Sequence, residues 1–240
     1  MRKLLIASGC SYTQNKFQDL KFWPELLAEK LDMDFINLGR GGASNQYIHD
    51  ITIDTIYESK NIGLVVSAWS GFDRTISLDS SELPKVHLAP GTGLFINTPV
   101  SECPFGVYDD VYVEKDLKTA GNITQSRKYP RYMIEKGIRN MLSLSSFCRD
   151  KNLPYLQLAS IMTCMPIVSK EITKLMLQYK PFMDLDRPNI IGWPFFKHIG
   201  GFHIYPIVKE FDDYDGHPGQ TGHEHICDII YKKYGEIYEQ

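Results

Sequence analysis

Three side chains at opposite ends of the chain have the types needed to attack a carbonyl carbon. Ser11 follows Gly9-Cys10, just after the apolar run Leu4-Leu5-Ile6-Ala7, and Asp215 and His217 stand together in Asp215-Gly216-His217-Pro218. A serine hydroxyl becomes a useful nucleophile when an imidazole removes its proton, and a carboxylate beside that imidazole fixes its tautomer and steadies the imidazolium. Ser11, His217 and Asp215 thus supply nucleophile, general base and orienting group once the fold brings the two ends together. Asp212 and Asp213 also lie close enough in sequence to serve as the carboxylate. On its own, each residue has a plainer use, since a serine after a strand and a glycine commonly closes a turn.

A third segment, Asn37-Leu38-Gly39-Arg40-Gly41-Gly42-Ala43-Ser44-Asn45, offers somewhere for negative charge to go. A glycine N–H and an asparagine amide, aimed at an oxygen that gains charge, stabilise the transition state of acyl transfer. Glycines at a helix start also suit phosphate, but no complete dinucleotide fingerprint is present and no Walker lysine-serine pair follows. His223 and His225 extend the histidine set around Asp215. They stand two apart on a presumed helix and so point to different sides, which argues against a metal site.

These residues need elements to position them. Leu4–Ala7, Phe35–Leu38 and Ile62–Trp69 read as buried strands, and the spacing predicts helices over Trp23–Leu31 and from Ser44-Asn45 to about Ser59. Strands alternating with helices argue for a parallel sheet covered on both faces. From about 76 to 125, prolines and glycines punctuate short segments, which reads as a loop or hairpin insertion within a single domain spanning 1–240. Helical periodicity returns over Tyr132–Asp150, Leu153–Leu158 reads as a fourth strand, and Pro166–Met183 and Gly222–Tyr238 read as helices. Residues 184–210 are aromatic and irregular. Ligands of doubly wound sheets bind beyond the carboxyl ends of the strands, so that segment and the insertion are expected to wall the pocket.

Composition narrows the field. A chain of 240 residues that is 43% hydrophobic and 23% charged can build one sizeable core. A formal charge of -3 gives no electrostatic reason to expect nucleic acid. Five scattered cysteines without a C-x-x-C pair fit a reducing cytoplasm better than a disulfide framework. The apolar run after Met1-Arg2-Lys3 is too short for an export signal, and no stretch approaches the roughly 18 apolar residues of a membrane helix.

The blocks, in this order, resemble the SGNH (GDSL-like) hydrolases. Gly9-Cys10-Ser11-Tyr12-Thr13 looks like the first block of that family, with Ser11 at the nucleophile position and Cys10 in place of the usual aspartate. Asn37-Leu38-Gly39-Arg40-Gly41-Gly42 looks like the second, with Gly42 at the oxyanion-hole position, and Asp215-Gly216-His217-Pro218 like the last, with His217 as base. The third block departs. Where the family offers Gly-x-Asn-Asp, this chain has Trp69-Ser70-Gly71-Phe72-Asp73-Arg74. Asn45, or more weakly Ser70, would have to replace the missing asparagine, because an absent donor costs about 3 kcal/mol in the transition state. The carboxylate spacing also differs, with Tyr214 where the family most often has aspartate and Asp215 one residue later.

The resemblance implies a three-layer α/β/α sandwich with a mainly parallel, about five-stranded sheet of flavodoxin-like type. It also implies a serine ester hydrolase acting without metal or cofactor on a small acyl ester, such as a carbohydrate O-acetyl group. Partners would then be small-molecule or carbohydrate esters, with neither nucleic acid nor membrane. Acyl transfer from the same residues, and a binding protein that kept the fold without the chemistry, are the alternatives; a nucleotide-binding protein is a distant third. Arg74 and Ser70 are expected at the substrate. For Arg74 the competing role is a solvated ion pair with Asp73.

Overall fold

The longest apolar runs of the chain form the middle of a parallel sheet. In the computed structural model, which describes residues 2–14, 19–72, 74–78, 84–88, 129–162, 169–208, 213–214 and 216–239, the strands are β1 (Leu4–Gly9), β2 (Asp34–Asn37), β3 (Ile62–Trp69), β4 (Thr75–Leu78), β5 (Pro84–Leu88), β6 (Tyr155–Ala159), β7 (Ile190–Ile191), β8 (Asp213–Tyr214) and β9 (His217–Pro218). Five of them make the main sheet in the order β2-β1-β3-β6-β7, every neighbouring pair parallel. β1 is buried from Leu5 onward, β3 from Gly63 onward and β6 throughout, as strands covered on both faces must be.

Helices α1 (Trp23–Leu31), α2 (Asn45–Glu58), α3 (Tyr129–Asp150), α4 (Ser169–Gln178), α5 (Ile204–Val208) and α6 (Gln220–Tyr238) supply the cover. α1 packs with α6, and α2 packs with α3. The chain moves from β1 to β2 through α1 and back across β1 to β3 through α2. Right-handed crossovers therefore put these two helices on opposite faces. This is the α/β/α sandwich the sequence predicts.

Local chemistry fixes the helix ends. Ser44 accepts a 3.2 Å hydrogen bond from the Tyr47 N–H as N-cap of α2, and Ile48, Thr52 and Ile56 make its buried stripe. α1 stops at Asp32, whose φ of 50° lets its N–H reach the carbonyls of Ala28 and Glu29.

Buried polar groups tie the layers together. Ser8 Oγ lies 2.9 Å from Ser67 Oγ and 2.7 Å from Thr52 Oγ1, linking β1, β3 and α2. Trp69 Nε1 donates to Gln157 Oε1 at 2.7 Å, and Gln157 Nε2 donates to Ser145 Oγ at 2.7 Å, linking β3, β6 and α3. Every hydroxyl and amide in these two clusters sits where an unmet hydrogen bond would be costly.

Three segments refine the expectations. The helix predicted over Pro166–Met183 runs as Ser169–Gln178, followed by a 3-10 turn over Lys180–Asp184. Pro181 has no N–H to donate and crowds the residue before it, so the α-helix ends ahead of it. Residues 184–210 contain the fifth strand, β7, together with 3-10 turns at Arg187–Asn189 and Lys197–Ile199. Within the expected insertion at 76–125, β4 and β5 pair as an antiparallel hairpin, and residues 79–83 and 89–125 lie outside the described residues. No described helix is long and apolar enough to cross a membrane.

Candidate active site

The turn after β1 presents Ser11 at the carboxyl edge of the sheet. The N–H groups of Thr13 and Gln14 both bond to the carbonyl of Cys10, at 2.9 and 3.0 Å, curling the chain tightly around Ser11. Ser11 is buried to 9% exposure, and Cys10 beneath it is fully buried.

A second turn leans directly on the first. Asn37 Nδ2 donates to the Thr13 carbonyl at 2.7 Å, and Gln14 Oε1 accepts from the Gly41 N–H at 2.6 Å. Gly39 permits this approach, because a Cβ there would stand 2.4 Å from Gln14 N. The Ala43 N–H bonds back to the Arg40 carbonyl at 3.1 Å while Gly42 takes φ 75°. That pairing is a type II turn with glycine at its third position. The turn bond uses the Ala43 amide and leaves that of Gly42 uncommitted to it.

The far end of the chain arrives through Tyr12. Its hydroxyl donates to the Gly216 carbonyl at 3.2 Å, and its ring meets the His217 imidazole in a T-shaped contact, 5.7 Å between centroids. His217 opens β9, which pairs antiparallel with β8 through Tyr214↔His217. The residue beside the proposed nucleophile therefore touches the proposed base. Asp215 and Asp212 lie outside the described residues, and Asp213 is placed only by its backbone in β8.

Asn45 and Ser70 come together as a clamp. Asn45 Oδ1 accepts from the Ser70 N–H at 2.8 Å, and Asn45 Nδ2 donates to the Ser70 carbonyl at 3.0 Å. One Nδ2 proton is spent in this way and one remains. β1 and β3 run in register to Gly9↔Ala68, so the turns carrying Ser11 and Ser70 leave the sheet side by side. Asn45 thus steadies the chain next to Ser11. Ser70 Oγ is buried without a hydrogen-bond partner.

Arg74 is buried at 7% exposure and lines a cleft with Asn45, Phe72 and Lys136. A solvated surface position does not describe it. His223, in the first turn of α6, is also buried, with its ring 4.3 Å from that of Phe22 and its Nδ1 lacking a partner. Burial, with the nearby His217 charge as a smaller cause, lowers its pKa to about 4. Among the described residues no group of three His, Cys, Asp or Glu side chains could hold a metal ion.

Sequence reading missed Tyr12, Gln14 and Asn37 as residues that join the turns. Tyr12 adjoins Ser11 and lay in plain view, but its partner is 204 positions away. Asn37 carries the only available hint, a polar residue closing a strand before glycine.

No family model matches the chain, and no curated protein matches it. Solved structures do. The psychrotrophic esterase EstA from Pseudoalteromonas sp., in a form inhibited by monoethylphosphonate, aligns at TM-score 0.53 and 12% identity over 99% of this chain and 100% of that one. A protein from Lactobacillus plantarum aligns at TM-score 0.52 and 12% identity, over 99% and 98%. A member of the lipolytic G-D-S-L family from Veillonella parvula DSM 2008 aligns at 0.45 and 12%, over 99% of each. The fold is thus one shared with the esterase EstA over essentially the whole chain.

Proposed function

We propose that this protein is a serine ester hydrolase of the SGNH type that cleaves a small acyl ester, such as an O-acetyl group on a carbohydrate. The observation that carries the reading is the Tyr12 link, which holds the His217 turn against the turn that bears Ser11. Likeness of fold to an esterase inhibited by a phosphonate supports it.

In this reading Ser11 Oγ bonds to the ester carbonyl carbon as His217 takes the hydroxyl proton. Asp215 orients His217. The carbonyl oxygen gains the negative charge and rests on the N–H groups of Ser11 and Gly42, with the second Nδ2 proton of Asn45 as a third donor. The C–O bond to the alcohol then breaks, and the alcohol leaves with the proton from His217. Water, deprotonated by His217, attacks the acyl-Ser11 ester and releases the acid. None of these steps requires a metal or an organic cofactor.

Turnover of p-nitrophenyl acetate tests this directly. Ser11→Ala and His217→Ala are each expected to lower kcat at least about a thousandfold. Turnover that survives in both variants sinks the proposal.

A further inference from the structure

Beside the Asn45 clamp lies a narrow cleft between the start of α2, the chain after β3 and the middle of α3. Asn45, Gln46, Arg74, Lys136 and Asn140 bring its polar groups, with Phe72 and Met133 as apolar wall. Among the described residues the lining holds two cations, three amides and no carboxylate. The first turn of α2 carries no acidic residue to offset the positive end of its dipole. Asn140 is 8% exposed, and its Nδ2 donor has no hydrogen-bond partner. A buried amide donor left unmet is costly, and a bound acceptor would relieve it.

We infer that this cleft is a carboxylate subsite and that the ester substrate is an anion, its carboxylate docking against Arg74 and the Asn140 amide while its ester lies over Ser11. The inference deepens the ester hydrolase reading and rests on it. The planar guanidinium of Arg74 suits a carboxylate, and Lys136 adds charge at the edge. The cleft has room for little more than one water-sized group, which suits a single carboxylate oxygen and leaves the rest of the substrate outside it. Asn45 belongs to both places. It lines the cleft and holds the Ser70 peptide, which follows the strand paired with the one leading to Ser11, and the proposal places a ligand gripped here within reach of the nucleophile.

Two pairs of esters test the subsite and locate the charge. p-Nitrophenyl hemisuccinate against its methyl ester puts the carboxylate on the acyl side; 4-acetoxybenzoate against its methyl ester puts it on the alcohol side. The wild type is expected to favour the acid of one pair at least about tenfold in kcat/KM, mainly through KM. Arg74→Gln should abolish that preference, and the more exposed Lys136→Gln should cut it a few-fold. Lys136→Gln also keeps the test open should Arg74→Gln fold poorly. Hydrolysis of all four esters with no preference for either acid overturns the subsite and leaves the hydrolase intact. Where no ester is turned over, calorimetric titration of the full chain with succinate and 4-acetamidobenzoate decides instead. Binding lost in Arg74→Gln upholds the subsite without the esterase, and no binding of either overturns it.

Discussion

The Tyr12 hydroxyl bonds the Gly216 carbonyl at 3.2 Å, so residues 204 positions apart join the first strand's turn to the last hairpin. Tyr12→Phe removes this bond and keeps the ring contact with His217. It is expected to cost about 1 kcal/mol in stability. We expect kcat on p-nitrophenyl acetate to fall about tenfold, with KM little changed, because the proposed base, His217, is less firmly held. An equal fall in Tyr12→Phe and Tyr12→Ala would place the effect on the hydroxyl, and urea denaturation of both separates it from loss of fold.

Asn45 meets both polar atoms of the Ser70 peptide. In Asn45→Ala a buried N–H and a buried carbonyl lose their partners, which should cost about 3 kcal/mol by urea denaturation. Activity should fall by more than stability alone explains, about a hundredfold in kcat, since in the proposed mechanism a transition-state donor goes as well. Asn45→Asp keeps the acceptor for the Ser70 N–H, yet it places negative charge where the oxyanion forms. It should be the less active of the two, and steady-state kinetics beside unfolding curves will rank them.

Two glycines are expected to respond differently to alanine. At Gly39 a Cβ would stand 2.4 Å from Gln14 N and 2.5 Å from Thr13 C, backbone atoms of the turn that presents Ser11. Gly39→Ala should therefore destabilise by about 2 kcal/mol and lower kcat at least about tenfold. At Gly216 a Cβ meets nothing within 4 Å, and only φ +75° resists substitution. Gly216→Ala should cost about 1 kcal/mol. Thermal unfolding and kcat of the pair provide the comparison.

His223 makes stability depend on pH. Its folded pKa of about 4 lies below the ordinary 6.5, because burial penalises the charged ring. Below pH 6.5 the unfolded chain takes up a proton that the folded chain refuses until about pH 4. Its contribution is therefore complete above pH 6.5 and is lost as pH falls between these values, amounting to about 3 kcal/mol. His203, whose pKa burial also lowers, acts in the same direction. His223→Phe should flatten the fall in urea midpoint between pH 6.5 and 4.5 and leave the smaller His203 slope. A variant with the wild-type slope would show that His223 titrates normally.

Much of the fold was legible because its signals are local. Leu4–Ala7 and Ile62–Trp69 announce buried strands by composition, and Ser44 caps α2 as its type and place predict. β7 was not legible. Two residues, Ile190–Ile191, are too few to show a period, and only pairing with Gln157 and Leu158 makes them a strand. The site divides in the same way. Ser11, Gly42 and His217 were visible as motif residues. The Asn45–Ser70 clamp joins residues 25 apart, and the Tyr12–Gly216 bond joins the two ends, so neither leaves a mark in any short window. Arg74 could be read as solvated or pocket-facing until its burial placed it in the cleft.

The central claim is that Ser11 is a nucleophile activated at this junction of turns. The most direct test is the mass of the intact protein after incubation with a fluorophosphonate, followed by peptide mapping. The account predicts one adduct, on the peptide that contains Ser11, formed far more slowly in His217→Ala and absent in Ser11→Ala. Folded wild-type protein that takes up no label, or an adduct that persists in Ser11→Ala, would contradict it.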